Sequence, residues 1–113
     1  MEDLKISISG IRGVVGKSLT VDRFLRWILA WEEKLPEGPI ILARDARPHG
    51  GSLLSLAEGL LAYRGRRVLI AGLVPTPTVG VLVRDQRAAG GVMLTASHNP
   101  LEWNALKLFN HEG

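Results

Sequence analysis

Along this chain the spacing of apolar residues switches repeatedly between every second position and every third or fourth. That alternation predicts strands interleaved with helices. Residues 4–9 carry Leu4, Ile6 and Ile8 at alternate positions and read as a strand. Residues 10–18 are glycine-rich and read as a loop. Thr20 is placed to cap a helix running to about Leu35, with Val21, Phe24, Leu25, Ile28 and Leu29 as its apolar stripe. Pro36, Gly38 and Pro39 stop it.

A short apolar strand, Ile40-Ile41-Leu42-Ala43, follows, then a loop over 45–51 and a helix that Ser52 is placed to cap, ending near Gly65. Val68-Leu69-Ile70-Ala71 is a third strand, and Val74-Pro75-Thr76-Pro77 opens a short helix through about Asp85. Gly90-Gly91-Val92-Met93-Leu94 suits a buried strand. The expected fold is α/β: a three-layer α/β/α domain around a mostly parallel, mixed sheet of about four or five strands.

Composition narrows this little. At 113 residues the chain is the size of one domain, and 46% hydrophobic with 22% charged residues is ordinary for a soluble globular protein. The absence of cysteine excludes disulfides and thiolate metal sites and suits a cytoplasmic setting. No run approaches the roughly 18 apolar residues of a membrane span, and Glu2 and Asp3 do not open a signal peptide. Neither a membrane nor a nucleic acid is an expected partner: the net charge is only +3, with six aromatic residues. The densest basic cluster, Arg64, Arg66 and Arg67, reads as a solvated helix end. His49, His98 and His111 have no metal-site spacing, so zinc is not expected. The last residues, 107–113, bring no closing element, which reads as a piece of a longer chain.

The chemistry is concentrated where the strand ending at Leu94 gives way to Thr95-Ala96-Ser97-His98-Asn99-Pro100. Pro100 holds Asn99 out of the helical region, and Ser97 is presented at the carboxyl end of a strand, where open α/β sheets place their sites. A serine capping a turn is the bland reading. A Ser-His dyad fits poorly, because neighbours in an extended loop point apart. The Gly-x-Ser-x-Gly elbow is also missing. What remains is a serine that carries a group, and phosphoryl is the natural one.

The glycine-rich stretch Ser9-Gly10-Ile11-Arg12-Gly13-Val14-Val15-Gly16-Lys17-Ser18 ends like a P-loop, but Ile11 stands where its leading glycine should be. Glycines at 10, 13 and 16 do not fit the dinucleotide fingerprint either. Glycines that let backbone approach an anion, with Arg12 as a cationic fork, are one reading; a turn with a solvated arginine is the other.

The 95–100 string closely resembles the phosphoserine loop of the α-D-phosphohexomutases, the family of phosphoglucomutase and phosphomannomutase. Ser9-Gly10-Ile11-Arg12-Gly13 is similar to that family's N-terminal signature. Ala43-Arg44-Asp45-Ala46-Arg47 is similar to its Asp-x-Arg segment, with Pro48-His49-Gly50-Gly51 intervening before Ser52. Gly72-Leu73-Val74-Pro75-Thr76-Pro77-Thr78 resembles its Gly-x-x-x-Thr-Pro segment, and Asn104-Ala105-Leu106-Lys107 its Asn-Gly-x-Lys pattern, with Ala105 in place of glycine. Read alone, Asp45 and Arg47 are a structural ion pair and Thr76-Pro77 a helix start.

The resemblance implies that residues 1–113 are most of the first, active-serine domain of a four-domain enzyme, the other domains completing the site. It implies interconversion of glucose or mannose 1- and 6-phosphates through phosphoserine at Ser97, with a hexose 1,6-bisphosphate as intermediate and activator. Mg2+ would take a phosphoryl oxygen on Ser97 as its ligand from this segment. Arg12 would stabilise the transferring phosphoryl group and bind substrate phosphate, Lys107 would act as general acid or base, and His98 and Asn99 would shape the loop and contact phosphate. A phosphoglucosamine mutase is the nearest alternative, and a stand-alone, non-catalytic phosphosugar-binding module comes from a different class. The 113 residues alone are expected to lack turnover.

Overall fold

Among the described residues nine elements alternate, much as the apolar spacing requires. A computed structural model describes residues 5–7, 10–46, 49–95 and 103–113. In chain order they form β1 (Lys5–Ser7), β2 (Gly10–Val14), α1 (Val21–Glu32), β3 (Ile40–Arg44), α2 (Gly50–Tyr63), β4 (Val68–Leu73), α3 (Thr76–Asp85), β5 (Gly90–Leu94) and β6 (Trp103–Phe109). The strands make one sheet in the order β1-β2-β6-β5-β3-β4. β3 pairs in parallel with β4 and β5, whereas β6, β2 and β1 continue the sheet in antiparallel pairs.

β3 divides the core between the two faces. Ile40 and Leu42 join Phe24 and Ile28 of α1 and Leu53, Ala57 and Leu61 of α2. Ile41 and Ala43 join Val79 and Val83 of α3 and Met93 of β5. Alternate residues of a strand face opposite sides, so four consecutive apolar residues mean helices on both. The α/β class and the layered, mixed sheet expected from the sequence are therefore found.

The sheet has six strands among the described residues, more than the four or five expected, because residues 10–14 are a strand and not a loop and because the chain, expected to bring no closing element at its end, adds β6. Glycines weaken a strand locally, but β2 is secured by ladders to β1 on one side and β6 on the other. The true turn is shorter. Gly16 has φ +83°, the N–H groups of Lys17, Ser18 and Leu19 all donate to the Val14 carbonyl at 3.0–3.1 Å, and the Ser18 hydroxyl accepts from the Val14 N–H at 2.9 Å. Gly16-Lys17-Ser18 is thus folded onto its own backbone, unlike a phosphate-cradling P-loop.

Two helix ends also change. α1 stops at Glu32 rather than near Leu35, and Thr20, though at its N-cap, makes no side-chain cap bond; its hydroxyl donates to Asp22 at 3.0 Å instead. α2 begins before Ser52, with His49 at the N-cap. The basic cluster is not simply solvated. Arg64 Nε and Arg66 Nε donate to the two oxygens of Glu32 at 2.9 and 2.8 Å, and the Glu32 side chain is only 7% exposed. Arg66 also donates to the carbonyls of Pro36 and Gly38 at 2.6 and 3.1 Å. One carboxylate at the end of α1 thereby ties the turn before β4 to the turn before β3, at the pole opposite the strands' carboxyl ends.

Candidate functional site

The carboxyl ends of β3, β4 and β5 lie side by side, the position at which open parallel sheets bind their ligands. β3 ends in Arg44 and is followed by Asp45; β5 ends in Leu94 and is followed by Thr95. Leu94 stands opposite Arg44, which in turn stands opposite Leu73 at the end of β4. Ser97, His98 and Asn99 come just after Thr95 and Ala96 in sequence, and with Arg47 they lie outside the described residues.

Two other sequence-predicted residues are brought together by register. Across β2 and β6, Arg12 stands opposite Ala105 and Lys107 opposite Gly10. Residues 12 and 107, from the two ends of the chain, therefore sit on neighbouring strands, two positions apart along β6. β5 is the next strand over, with Leu94 opposite Leu106 and Met93 opposite Lys107. Directly opposed residues share a face of the sheet, so Lys107 lies on the same side as Met93, the face that α3 covers in part. Lys107 is half-buried, and its partner across the ladder, Gly10, has no side chain to crowd it.

The end of β5 is held by contacts that sequence reasoning missed. The Thr95 hydroxyl donates to Asp45 Oδ2 at 2.6 Å, and the Asp45 N–H donates to the Leu94 carbonyl at 2.9 Å. The Asp45–Arg47 ion pair suggested by the sequence involves a residue outside the described ones; the bond described at the Asp45 carboxylate is the one from Thr95. A signal existed: Thr95 is the first polar residue after a buried apolar strand, and a buried hydroxyl needs a bond. Arg44 Nη1 donates to the Asp45 carbonyl at 3.3 Å, and its stem packs on Gly50, where a Cβ would come within 3.1 Å of Arg44 Cδ. Thr76 and Pro77 do open α3, as their sequence suggests, after Pro75 at the N-cap. Among the described residues, no three His, Asp or Glu side chains converge as a metal cage, and no helix is long and apolar enough to cross a membrane.

Known proteins match this arrangement over nearly its whole length. The family model described as the phosphoglucomutase/phosphomannomutase α/β/α domain I fits residues 4–113. A phosphoglucosamine mutase of Clostridium botulinum strain Alaska E43 is 39% identical over 98% of this chain and 26% of its own length. A phosphoglucosamine mutase of Synechococcus sp. strain WH7803 is 44% identical over 92% of this chain and 23% of its own. Among solved structures, a protein of Thermus thermophilus superposes with a TM-score of 0.81 and 31% identity, covering 96% of this chain and 26% of that one. Its phosphomannomutase assignment is itself provisional. The chain belongs to the phosphoglucomutase/phosphomannomutase family, as its α/β/α domain I. It spans about a quarter of the length of the curated relatives it matches.

Proposed function

We propose that this chain is the active-serine domain of a phosphohexomutase, in which Ser97 carries the phosphoryl group between the 1 and 6 positions of a hexose phosphate. The observation that carries the reading is the register that sets Arg12 and Lys107 two positions apart, beside the strand from which the Ser97 segment departs. A phosphoryl-transfer site needs a nucleophile or carrier, a cation for the developing charge, and a group to move a proton. Ser97, Arg12 and Lys107 are residue types suited to those three tasks.

In the proposed cycle the P–Oγ bond of Ser97 breaks as a free sugar hydroxyl takes the phosphoryl group; Lys107 accepts the hydroxyl proton, the departing Oγ takes a proton from solvent, and the product is a hexose 1,6-bisphosphate. After the sugar turns over, Ser97 Oγ takes the other phosphate and releases its proton to solvent, while Lys107 returns its proton to the freed sugar oxygen. Arg12 offsets the negative charge on the group in flight, while His98 and Asn99 line the phosphate. Mg2+, when bound, would neutralise phosphoryl charge. A phosphoryl oxygen on Ser97 is the ligand proposed from this segment, the others coming from carboxylates beyond these 113 residues. The proposed setting is the cytoplasm, with further domains of the same polypeptide completing the site.

Glucosamine phosphate is the substrate favoured over glucose and mannose phosphates, because relatives at 39% and 44% identity carry the name phosphoglucosamine mutase. Steady-state turnover by the full natural chain of glucosamine, glucose and mannose phosphates tests this directly. The largest kcat/KM should fall to the glucosamine phosphate. A preference for glucose or mannose phosphate would reverse the order, and no turnover of any of the three would remove the mutase reading.

A further inference from the structure

Asp45, at the end of β3, holds two successive residues at the end of β5. Its backbone N–H donates to the Leu94 carbonyl at 2.9 Å, and its carboxylate accepts the Thr95 hydroxyl at 2.6 Å. Thr95 is 4% exposed and stands two positions before Ser97 in sequence. Asp45 is braced in turn: Arg44 donates to its carbonyl, and Arg44 rests on Gly50 in the first turn of α2. The point at which the chain leaves β5 is thus fixed to a neighbouring strand and, behind it, to a helix.

We propose that Asp45 and Thr95 are a positioning pair for the serine segment, setting the direction in which the chain departs from β5 and hence where Ser97 Oγ meets the sugar phosphate. The proposal rests on Ser97 being the phosphoryl carrier. A hydroxyl-to-carboxylate bond is charge-assisted and stronger than a neutral one. Phosphoryl transfer depends almost wholly on placement and electrostatics, and a displacement of about 1 Å can cost roughly 100-fold in rate. Neither residue need touch substrate to control the rate.

The test uses the full natural enzyme with Thr95→Val, Thr95→Ser, Asp45→Ala and the double variant Thr95→Val/Asp45→Ala. Circular dichroism establishes that each is folded, and Asp45→Asn replaces Asp45→Ala throughout if the latter is not. Thr95→Val keeps the side-chain shape without the donor and should lower kcat about 10- to 100-fold, with KM changed less than about twofold. Thr95→Ser keeps the donor and should recover most of kcat. The double variant should be no slower than the worse single variant, since both remove one contact. Wild-type kcat in Thr95→Val, no rescue by serine, or losses that multiply in the double variant would each overturn the pair. Mass mapping of Ser97 phosphate in the same samples separates the two levels. Phosphate on Ser97 with an unchanged Thr95→Val kcat overturns the pair alone, whereas an unphosphorylated Ser97 in an active enzyme overturns the carrier reading and the pair with it.

Discussion

A carboxylate at position 32 occupies a place on α1 where the stripe through Phe24 and Ile28 would otherwise continue as an apolar residue. Burial by itself pushes the Glu32 carboxyl up, but hydrogen bonds from Arg64 and Arg66, together with their charges, outweigh it and hold the group below its ordinary value of 4.5. A carboxyl depressed in the folded state stabilises fully above its unfolded pKa, and that contribution is lost as pH falls through the folded one. Glu32→Gln should therefore cost about 1–3 kcal/mol near neutral pH, because it removes the carboxylate charge that the partly buried Arg66 donates to. In denaturant titrations its deficit relative to wild type should shrink as pH drops below 4.5; a deficit independent of pH would contradict the ion triad. Lys107 is a different case, half-buried beside Gly10 on β2. Lys107→Met should lower kcat by about 10²- to 10⁴-fold, the usual worth of a proton-transfer group, with the melting temperature nearly unchanged. Near-wild-type kcat would remove Lys107 from the proton-transfer role. The residue types at 12, 97 and 107 were legible in the sequence. The Asp45–Thr95 and Glu32–arginine bonds were not, because each joins positions far apart along the chain and follows only from the sheet order and helix packing.

Elements were legible where their apolar spacing was self-contained, as in α1, β3 and β5. β2 was not, because the glycines in Gly10–Val14 argue locally for a loop and the β6 strand that pairs with it comes from the other end of the chain. Ser52 misled for a related reason: helix propensity favours a serine cap, yet Gly50 and Gly51 are taken into α2, Gly50 in a space already filled by Arg44. The glycines that open β5 are structural in the same sense. A Cβ on Gly91 would lie 2.9 Å from Val79 Cγ1 and 2.9 Å from Val83 Cγ2, so α3 seats against bare backbone there. Gly91→Ala should cost about 1–3 kcal/mol through overpacking, read as a lowered denaturant midpoint. An unchanged midpoint would mean that α3 can withdraw from β5 without penalty. The edge strand β4 carries exposed Ile70 and Leu73, but its register with β3 slips between Leu42 and Ala43, and such a bulge discourages further strand pairing.

At the scale of the whole molecule, the parallel strands β5, β3 and β4 supply the pole at which Thr95 and Asp45 meet, and the antiparallel strands β6 and β2 bring residues 107 and 12 to its flank. The opposite pole is closed by the Glu32 clasp, so the two ends of the sheet divide stability from chemistry. Membership of the phosphoglucomutase/phosphomannomutase family follows from the match over residues 4–113. The proposed catalysis rests more narrowly, on one serine that follows a tethered strand end. The most direct measurement is the intact mass and phosphosite map of the full natural protein, taken beside a Ser97→Ala version and paired with a turnover assay on glucosamine, glucose and mannose phosphates. One phosphate on Ser97, lost in Ser97→Ala together with turnover, is the result predicted. An active protein with no phosphate on Ser97, and a Ser97→Ala version that turns over equally well, would contradict the account at its centre.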